Sequence, residues 1–417
     1  MEELTDRDLE IIQRANDIFE HWPRTKIEFG SGLLKTVGKR AAEFGKKALI
    51  VIGGGSVKKN GSLDTLLTSL DNAGLSAIIF EGVEPNPSKE TVEDIAKLYL
   101  QHDFDVCIAL GGGSAMDAAK AALILTGLNE TDISPYFGVG AVSPKLERIS
   151  PCICIPTTSG TSSEVTRYSN VTIKNLHLKK LISDIAIHPH YAIIDPEITK
   201  SCPASLTLTA GLDALTHSME GYLNLVQDPG NESINEYALL SIELIFKWLK
   251  IAVENPNDSN ARTMMAYASV LGGTVIGGEK FKGTGGPHMN SFSWADTIAH
   301  GNSTGIMLPY YMAYYAKNPV VAEKLRPIAQ MLHLPVEGDL GVSIATSILN
   351  WYESMGFPTK LTEMPGWQAA YKQKALKDAS QNAMKLQAMP NPVSIEKVDE
   401  IIGPIIQAAI EGNLSLL

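Results

Sequence analysis

Asp105-Val-Cys-Ile-Ala-Leu-Gly-Gly-Gly-Ser-Ala-Met-Asp-Ala-Ala-Lys120 is the stretch on which the fold turns. Asp105 to Leu110 is a short apolar run, which reads as a strand buried on both faces. Gly111-Gly-Gly-Ser114 breaks it, and Ser114 to Leu125 continues with helical apolar spacing. Glycines at such a turn let backbone N–H groups approach an anion, and the helix N-terminus adds its positive end. A phosphate seat is one reading and a plain tight turn the other. The Gly-x-Gly-x-x-Gly/Ala fingerprint is not met, because Met116 stands at its third small position. Asp117 and Lys120 lie just inside the helix, where an ordinary first-turn acid and a solvated lysine are also expected.

The same unit recurs on either side. Lys47 to Ile52 is an apolar strand followed by Gly53-Gly54-Gly55-Ser56, a second glycine turn that suits a ligand with more than one phosphate. Strands are expected at Lys26–Phe29 and Ser76–Phe80, and β-rich segments at 150–156 and 191–195. Helices are expected at 8–21, 33–44, 63–73 and 89–101, the last capped by Ser88. Alternation of this kind implies a mainly parallel sheet covered by helices. From Ser205 the pattern is helical throughout, including Leu206–Val226, Asn231–Val253, Ala261–Ile276, Ser303–Ala316, Pro319–Leu332 and Val342–Met355. The expected fold is an α/β N-terminal domain over residues 1–198, with a Rossmann-like nucleotide site, and an all-α domain over 199–417. Asp195-Pro196 is the hinge, and the cleft between the domains is the expected ligand site.

The bulk numbers exclude several classes. The chain has 417 residues, 44% of them hydrophobic and 19% charged, as expected of a globular protein with ample core. A formal net charge of −11 and lysines that only pair, as at Lys58-Lys59, argue against a nucleic-acid partner. Four scattered cysteines make no disulfide framework, although Cys152 and Cys154 should share one face of a strand. No apolar run is long enough to span a membrane, so a cytoplasmic protein is expected.

Chemistry concentrates later in the chain. Asp213 and His217 are four residues apart, so on a helix they share a face and can hold one cation. His288 and His300 can complete a set of one carboxylate and three imidazoles, which suits Fe²⁺ or Zn²⁺ better than Ca²⁺ or Mg²⁺. By spacing alone, four unrelated polar residues remain the alternative. Pro156-Thr157-Thr158-Ser-Gly-Thr-Ser-Ser-Glu164 adds a hydroxyl-rich loop after a strand, or else a capped helix start.

Taken in order, Gly111 to Lys120, Pro156 to Thr166, Asp195-Pro196 and Gly211-Leu-Asp-Ala-Leu-Thr-His217 resemble the iron-containing (group III) alcohol dehydrogenase family over nearly the whole chain. The turn Gly53-Gly-Gly-Ser-Val-Lys-Lys is similar to its butanol dehydrogenase or broad aldehyde reductase branch. The resemblance implies hydride transfer between NAD(P)(H) and a small alcohol or aldehyde. It implies Asp213, His217, His288 and His300 as ligands of Fe²⁺ or Zn²⁺, and no separate catalytic side chain. It also implies that Gly112, Gly113, Ser114 and Asp117 flank the cofactor pyrophosphate, that Asn86 and Lys179 face the cofactor, and that Thr157 and Thr158 line the adenosine side. A homodimer or larger assembly is implied too. Other members carry an acid near the turn at Gly53–Ser56, whereas here two lysines stand nearby with none, which favours NADP(H) over NAD(H).

One departure stands out. Phe292 occupies the place where the family has a second histidine four residues after the third ligand, and the spacer to His300 is about two residues shorter. Asp296 is then a candidate partner for the His300 ring or a helix cap. Phe292, Trp294 and Met289 are expected to form an apolar wall that favours an aliphatic substrate. Two rivals remain: a non-catalytic nucleotide binder, or a polyol- or sugar-phosphate dehydrogenase or dehydroquinate-synthase-like enzyme using Lys280 and Lys282 for a substrate phosphate.

Overall fold

The computed structural model describes residues 2–176, 178–336 and 338–417. His177, for which the sequence suggests no role, lies outside them. Among the described residues nine strands are formed: β1 (Lys26–Phe29), β2 (Lys47–Ile52), β3 (Ser76–Phe80), β4 (Val106–Gly111), β5 (Gly138–Val139), β6 (Cys152–Pro156), β7 (Tyr168–Ile173), β8 (Leu178–Ser183) and β9 (Tyr191–Ile194). Six of them make one sheet in the order β1-β9-β6-β4-β2-β3, with every pair parallel. The six expected strands are these six.

Burial explains why those runs were legible. Leu49 and Val51 of β2 enter the core on one face of the sheet, while Ala48, Ile50 and Ile52 enter the core on the other. A strand covered by helices on both sides needs apolar residues at every position. The chain runs outward from β2 to β3 and then crosses back to β4, on the other side of β2. That reversal opens a crevice at the carboxyl ends of β2 and β4, where open α/β sheets bind ligands. Both glycine turns leave the sheet there, since Ile52 pairs with Leu110.

The second sheet, β5-β8-β7, has no counterpart among the expected strands. Strands β7 and β8 are antiparallel, with Lys179 opposite Thr172, and they are only half buried. Their mixture of lysine, serine, threonine and asparagine carries no continuous apolar run to read.

The remainder is helical, and its main helices are Ala204–Leu223, Ser233–Glu254, Ser259–Gly277, Gly286–Ser293, His300–Tyr315, Leu340–Glu353 and Val398–Glu411. Two expectations need correction. The helix expected at 319–332 is two, Pro319–Lys324 and Arg326–Met331, with Pro327 in the first turn of the second, where its missing N–H does least harm. The helix expected at 33–44 is a 3₁₀ turn, Leu33–Thr36, followed by the short helix Val37–Ala41. The N-terminal helix, Asp6–Glu20, packs on both parts: Phe19 stacks on Phe29 of β1 with ring centroids 6.1 Å apart, and on the helical side Asp8 accepts from Trp248 Nε1 at 2.9 Å and Arg7 pairs with Glu243 at 2.8 Å.

Lys120 also departs from its expected solvation. It is fully buried, with its ammonium donating to the carbonyls of Ser163 (2.8 Å), Thr166 (3.3 Å) and Tyr168. The helix after the glycine turn is thereby pinned to the loop that follows β6. Among the described residues no helix is long and apolar enough to cross a membrane.

Candidate functional site

Three helices meet around one carboxylate. Asp213 and His217 project from a single face of the helix Ala204–Leu223. His288 sits in the first turn of the helix Gly286–Ser293, just after Pro287, and His300 opens the helix His300–Tyr315. The last helix approaches Asp213 closely because Gly301 has no side chain. A Cβ there would stand 2.0 Å from the carbonyl oxygen of Thr209 and 3.1 Å from the Asp213 Cβ.

The spacing is that of a group that could hold a cation. Asp213 Oδ1 lies 3.8 Å from His217 Nε2 and 3.6 Å from Nε2 of both His288 and His300. These are not hydrogen-bond lengths. Metal–nitrogen bonds of about 2.1 Å in tetrahedral array set ligand atoms roughly 3.4 Å apart, close to what is seen. Asp213, His217 and His288 are buried, each with a ligand atom within 4.8 Å of the others, whereas His300 approaches Asp213 but lies outside that mutually close set. His288 Nε2 has no hydrogen-bond partner.

Protonation states agree with that reading. Burial alone would raise the Asp213 carboxyl, but the facing imidazoles hold it well below the usual carboxylate range. Burial lowers His217 to about 4, against the pull of Asp213, and also lowers His300 well below the usual histidine value. His288 goes the other way: burial lowers it, but Glu220 and Asp213 outweigh burial and raise it, so a divalent ion, which binds the neutral imidazole, must displace its proton.

A residue the sequence reading passed over completes the cluster. Glu220 is buried, and its two oxygens accept from His288 Nδ1 and from the Gly285 N–H, the latter at 2.7 Å. This fixes the His288 ring so that Nε2 faces Asp213. Asp213, His217 and Glu220 fall at i, i+4 and i+7, a helical stripe that could have revealed it. Asp296 does not cap the helix that His300 opens. It is exposed in the turn before His300, Ala299 occupies the cap position, and His300 Nδ1 has no hydrogen-bond partner.

A cavity of about 140 Å³ joins this cluster to the crevice of the sheet, with Gly113, Ser114, Asp117, Asn86, Lys179 and Phe292 among its lining. The backbone N–H of Asn86 donates to Ser114 Oγ at 3.2 Å, and Lys179 Nζ donates to Asn86 Oδ1 at 3.1 Å. Asn86 adopts φ 55°, a left-handed conformation that asparagine tolerates, which turns its chain toward the glycine turn. Gly113 packs so closely on Thr161 that a Cβ would stand 2.9 Å from it.

Other expected residues sit differently. Asp117 borders the cavity, yet its carboxylate accepts from Ser163 Oγ (2.5 Å) and the Asn170 N–H (2.9 Å), so it braces the loop. Thr157 and Thr158 stand beside the glycine turn rather than in the cavity lining, with the Thr157 N–H donating to the Gly111 carbonyl at 3.0 Å. Gly53–Ser56 lies at the neighbouring strand end, also outside that lining. The turn does not lack an acid. β3 delivers Glu81, which pairs with Lys58 at 2.5 Å, and its Oε1 would lie 4.0 Å from a Cβ on Gly55.

The expected apolar wall reduces to Phe292. Met289 and Trp294 belong to the helical core, where the Trp294 indole donates to the Tyr371 carbonyl at 3.3 Å. Lys282 is no phosphate binder. It is fully buried and tied to Asp228 (2.6 Å) and Asn235 (2.7 Å), which removes the main support for a sugar-phosphate enzyme.

Comparison with known proteins agrees with this geometry. Residues 23–196 match the family model described as iron-containing alcohol dehydrogenase, and residues 207–409 match that of the Fe-containing alcohol dehydrogenase family, C-terminal. The chain is 34% identical to the NADPH-dependent butanol dehydrogenase of Clostridium saccharobutylicum, over 84% of this chain and 87% of that one. Among solved structures, 1,3-propanediol oxidoreductase superposes with a TM-score of 0.82 at 28% identity, covering 92% of this chain and 97% of that one. NADH-dependent butanol dehydrogenase A from Thermotoga maritima gives 0.80 at 28% identity, covering 93% and 97%. The chain that builds this cluster and this crevice belongs to the iron-containing alcohol dehydrogenase family.

Proposed function

We propose that a short alcohol or aldehyde reacts in the cavity between the glycine turns and the Asp213 cluster, exchanging hydride with a nicotinamide that crosses the carboxyl ends of β2 and β4. Membership of the family makes the chain a metal-dependent NAD(P) oxidoreductase of alcohols and aldehydes. The observation that carries the placement is the convergence of three imidazole Nε2 atoms on one buried carboxylate oxygen, at 3.6 to 3.8 Å.

Asp213, His217, His288 and His300 hold the ion in this reading. Iron is the family's metal, and the donor set also suits zinc. When bound, the ion supplies Lewis acidity toward the alcohol or carbonyl oxygen. The chain's own groups do the rest. Backbone N–H groups at Gly112 and Gly113, with the Ser114 hydroxyl, bind the pyrophosphate. Asn86 and Lys179 fix the cofactor where it enters the cavity, Phe292 screens it from water, and Glu220 orients His288. No histidine stands at position 292 to carry a proton.

The cofactor preference turns on Lys58 and Glu81. A 2′-phosphate can take Lys58 away from Glu81, and on that ground we assign NADP(H) as the preferred cofactor. Comparing kcat/KM for NADPH and NADH tests this, and a clear NADH preference sinks it. Glu81→Gln should raise the NADPH-to-NADH ratio about tenfold, which is about 1.4 kcal/mol of relieved repulsion. Replacing His288 or His300 with alanine tests the metal assignment. Bound metal and turnover should fall together, and activity retained without metal refutes it.

A homo-oligomer in a reducing compartment belongs to the same reading. All four cysteines are buried and free, and Cys152 and Cys154 sit with their sulfurs 3.8 Å apart and unbonded. Gel filtration and thiol counting check both points.

A further inference from the structure

Three buried lysines in this protein can be compared. Lys120 has three backbone carbonyls around its ammonium, with Asp117 at 3.8 Å. Lys282 has Asp228, Asn235 and the Tyr222 carbonyl. Both are saturated with acceptors, as a buried ammonium must be to offset its lost hydration. Lys385 is different. It is 8% exposed, and among the described residues its ammonium meets one acceptor, the Thr284 hydroxyl, with no carboxylate at ion-pair distance.

Lys385 lines the same cavity as Asp213, His217 and His288. It also lines an outer hollow between β8 and the helices Tyr371–Ala379 and Ala383–Gln387, which shares Lys179 and Phe292 with the inner cavity. A substrate entering by that route passes its nitrogen. In the same lining, Lys179 is tied to Asn86 and through it to Ser114. Its own anchor, Thr284, adjoins Gly285, whose N–H donates to Glu220 behind the metal cluster.

The other charged groups lining the cavity are engaged. Asp117 bonds Ser163 and Asn170, and Asp213 faces the imidazoles. Burial lowers the Lys385 ammonium to about 8, against the attraction of Glu220, so it is still mostly charged at neutral pH.

We infer that Lys385 is a specificity-determining residue, seating a carboxylate or sulfonate at the far end of a short aldehyde whose carbonyl lies at the metal cluster. The inference deepens the reading proposed above and rests on it. A buried ammonium with vacant donors favours a ligand that brings its own anion, and such charge-assisted hydrogen bonds are stronger than neutral ones. With Trp294 and Met289 in the core, the wall that would repel a charged substrate is confined to Phe292.

The test uses the metal-loaded enzyme, with succinic semialdehyde and butanal as substrates of similar length. The native enzyme should prefer the semialdehyde in kcat/KM by about tenfold or more. Lys385→Met should lower that ratio about 10- to 100-fold, and Lys385→Arg should retain part of it. Equilibrium binding gives a second readout without turnover. Both succinate and butyrate can place one carboxylate at the metal cluster, but only succinate has a second for Lys385. The native enzyme should bind succinate about tenfold tighter than butyrate, and Lys385→Met should bind them alike. Turnover of butanal with no preference for the semialdehyde, and equal binding of the two acids, overturns this inference alone. Turnover of neither aldehyde overturns the proposed activity with it.

Discussion

Replacing Glu220 with glutamine tests whether the buried cluster is built to hold a metal. The carboxylate serves two donors, His288 Nδ1 and the Gly285 N–H at 2.7 Å. Glutamine has the same length but only one acceptor oxygen. If that oxygen stays on Gly285, the amide NH₂ faces the His288 N–H, and if it flips, the NH₂ faces Gly285. Either way one buried donor loses its partner, at a cost of about 1–3 kcal/mol. The imidazole also loses the negative charge that makes Nε2 a better donor to metal. Groups that hold metal-ligating histidines in this manner contribute about 10- to 100-fold in metal affinity, or about 1.4–2.7 kcal/mol. The assay is competition between the metal-free protein and a chromophoric chelator for Zn²⁺, or for Fe²⁺ without oxygen. The Kd for Glu220→Gln should rise about 10- to 100-fold. A Kd within about twofold of the native value would refute the reasoning, because Glu220 would then be only a packing residue.

Three other changes probe the frame around the site. Lys120→Met removes an ammonium from three carbonyls and should cost about 3–5 kcal/mol in urea unfolding; a loss under about 1 kcal/mol means the loop after β6 does not depend on it. Gly301→Ala puts a Cβ 2.0 Å from the Thr209 carbonyl, so the helix bearing His300 must move away from Asp213. Stability should drop by about 1–3 kcal/mol with loss of bound metal, and an unchanged melting temperature with full metal content contradicts the close approach. Burial would raise the Asp8 carboxyl, but bonds from Lys247, Thr5 and Trp248 hold it at about 2, below its ordinary 3.8. A depressed carboxylate stabilises the fold above its unfolded pKa and ceases to do so as pH falls through the folded one. Stability should therefore fall by about 2 kcal/mol between roughly pH 5 and 2, and Asp8→Asn should flatten that part of the profile. Equal pH dependence in both proteins speaks against the assignment.

Local pattern made much of this protein legible from its sequence. Lys47–Ile52 and Val106–Gly111 are buried on both faces, so their apolar runs are unbroken and the following glycines mark where the sheet ends. Asp213 and His217 were readable because both lie on one helix, where a spacing of four dictates a shared face. The order of motifs along the chain was enough to indicate the family. What the sequence could not determine depends on contacts between distant segments. Glu81 is 26 residues from Gly55 in the chain and faces it only because β3 lies beside β2. The half-polar strand β8, which presents Lys179, has no periodicity to betray it. Glu220 and His288 are separated by 68 positions, and Lys385 and Thr284 by 101. Backbone periodicity encodes which face of an element is apolar, but not which polar side chain from elsewhere will meet it. That choice is made when the helices pack, at close approaches such as Gly301 on Thr209, and it decides how His288 and His300 come to face Asp213.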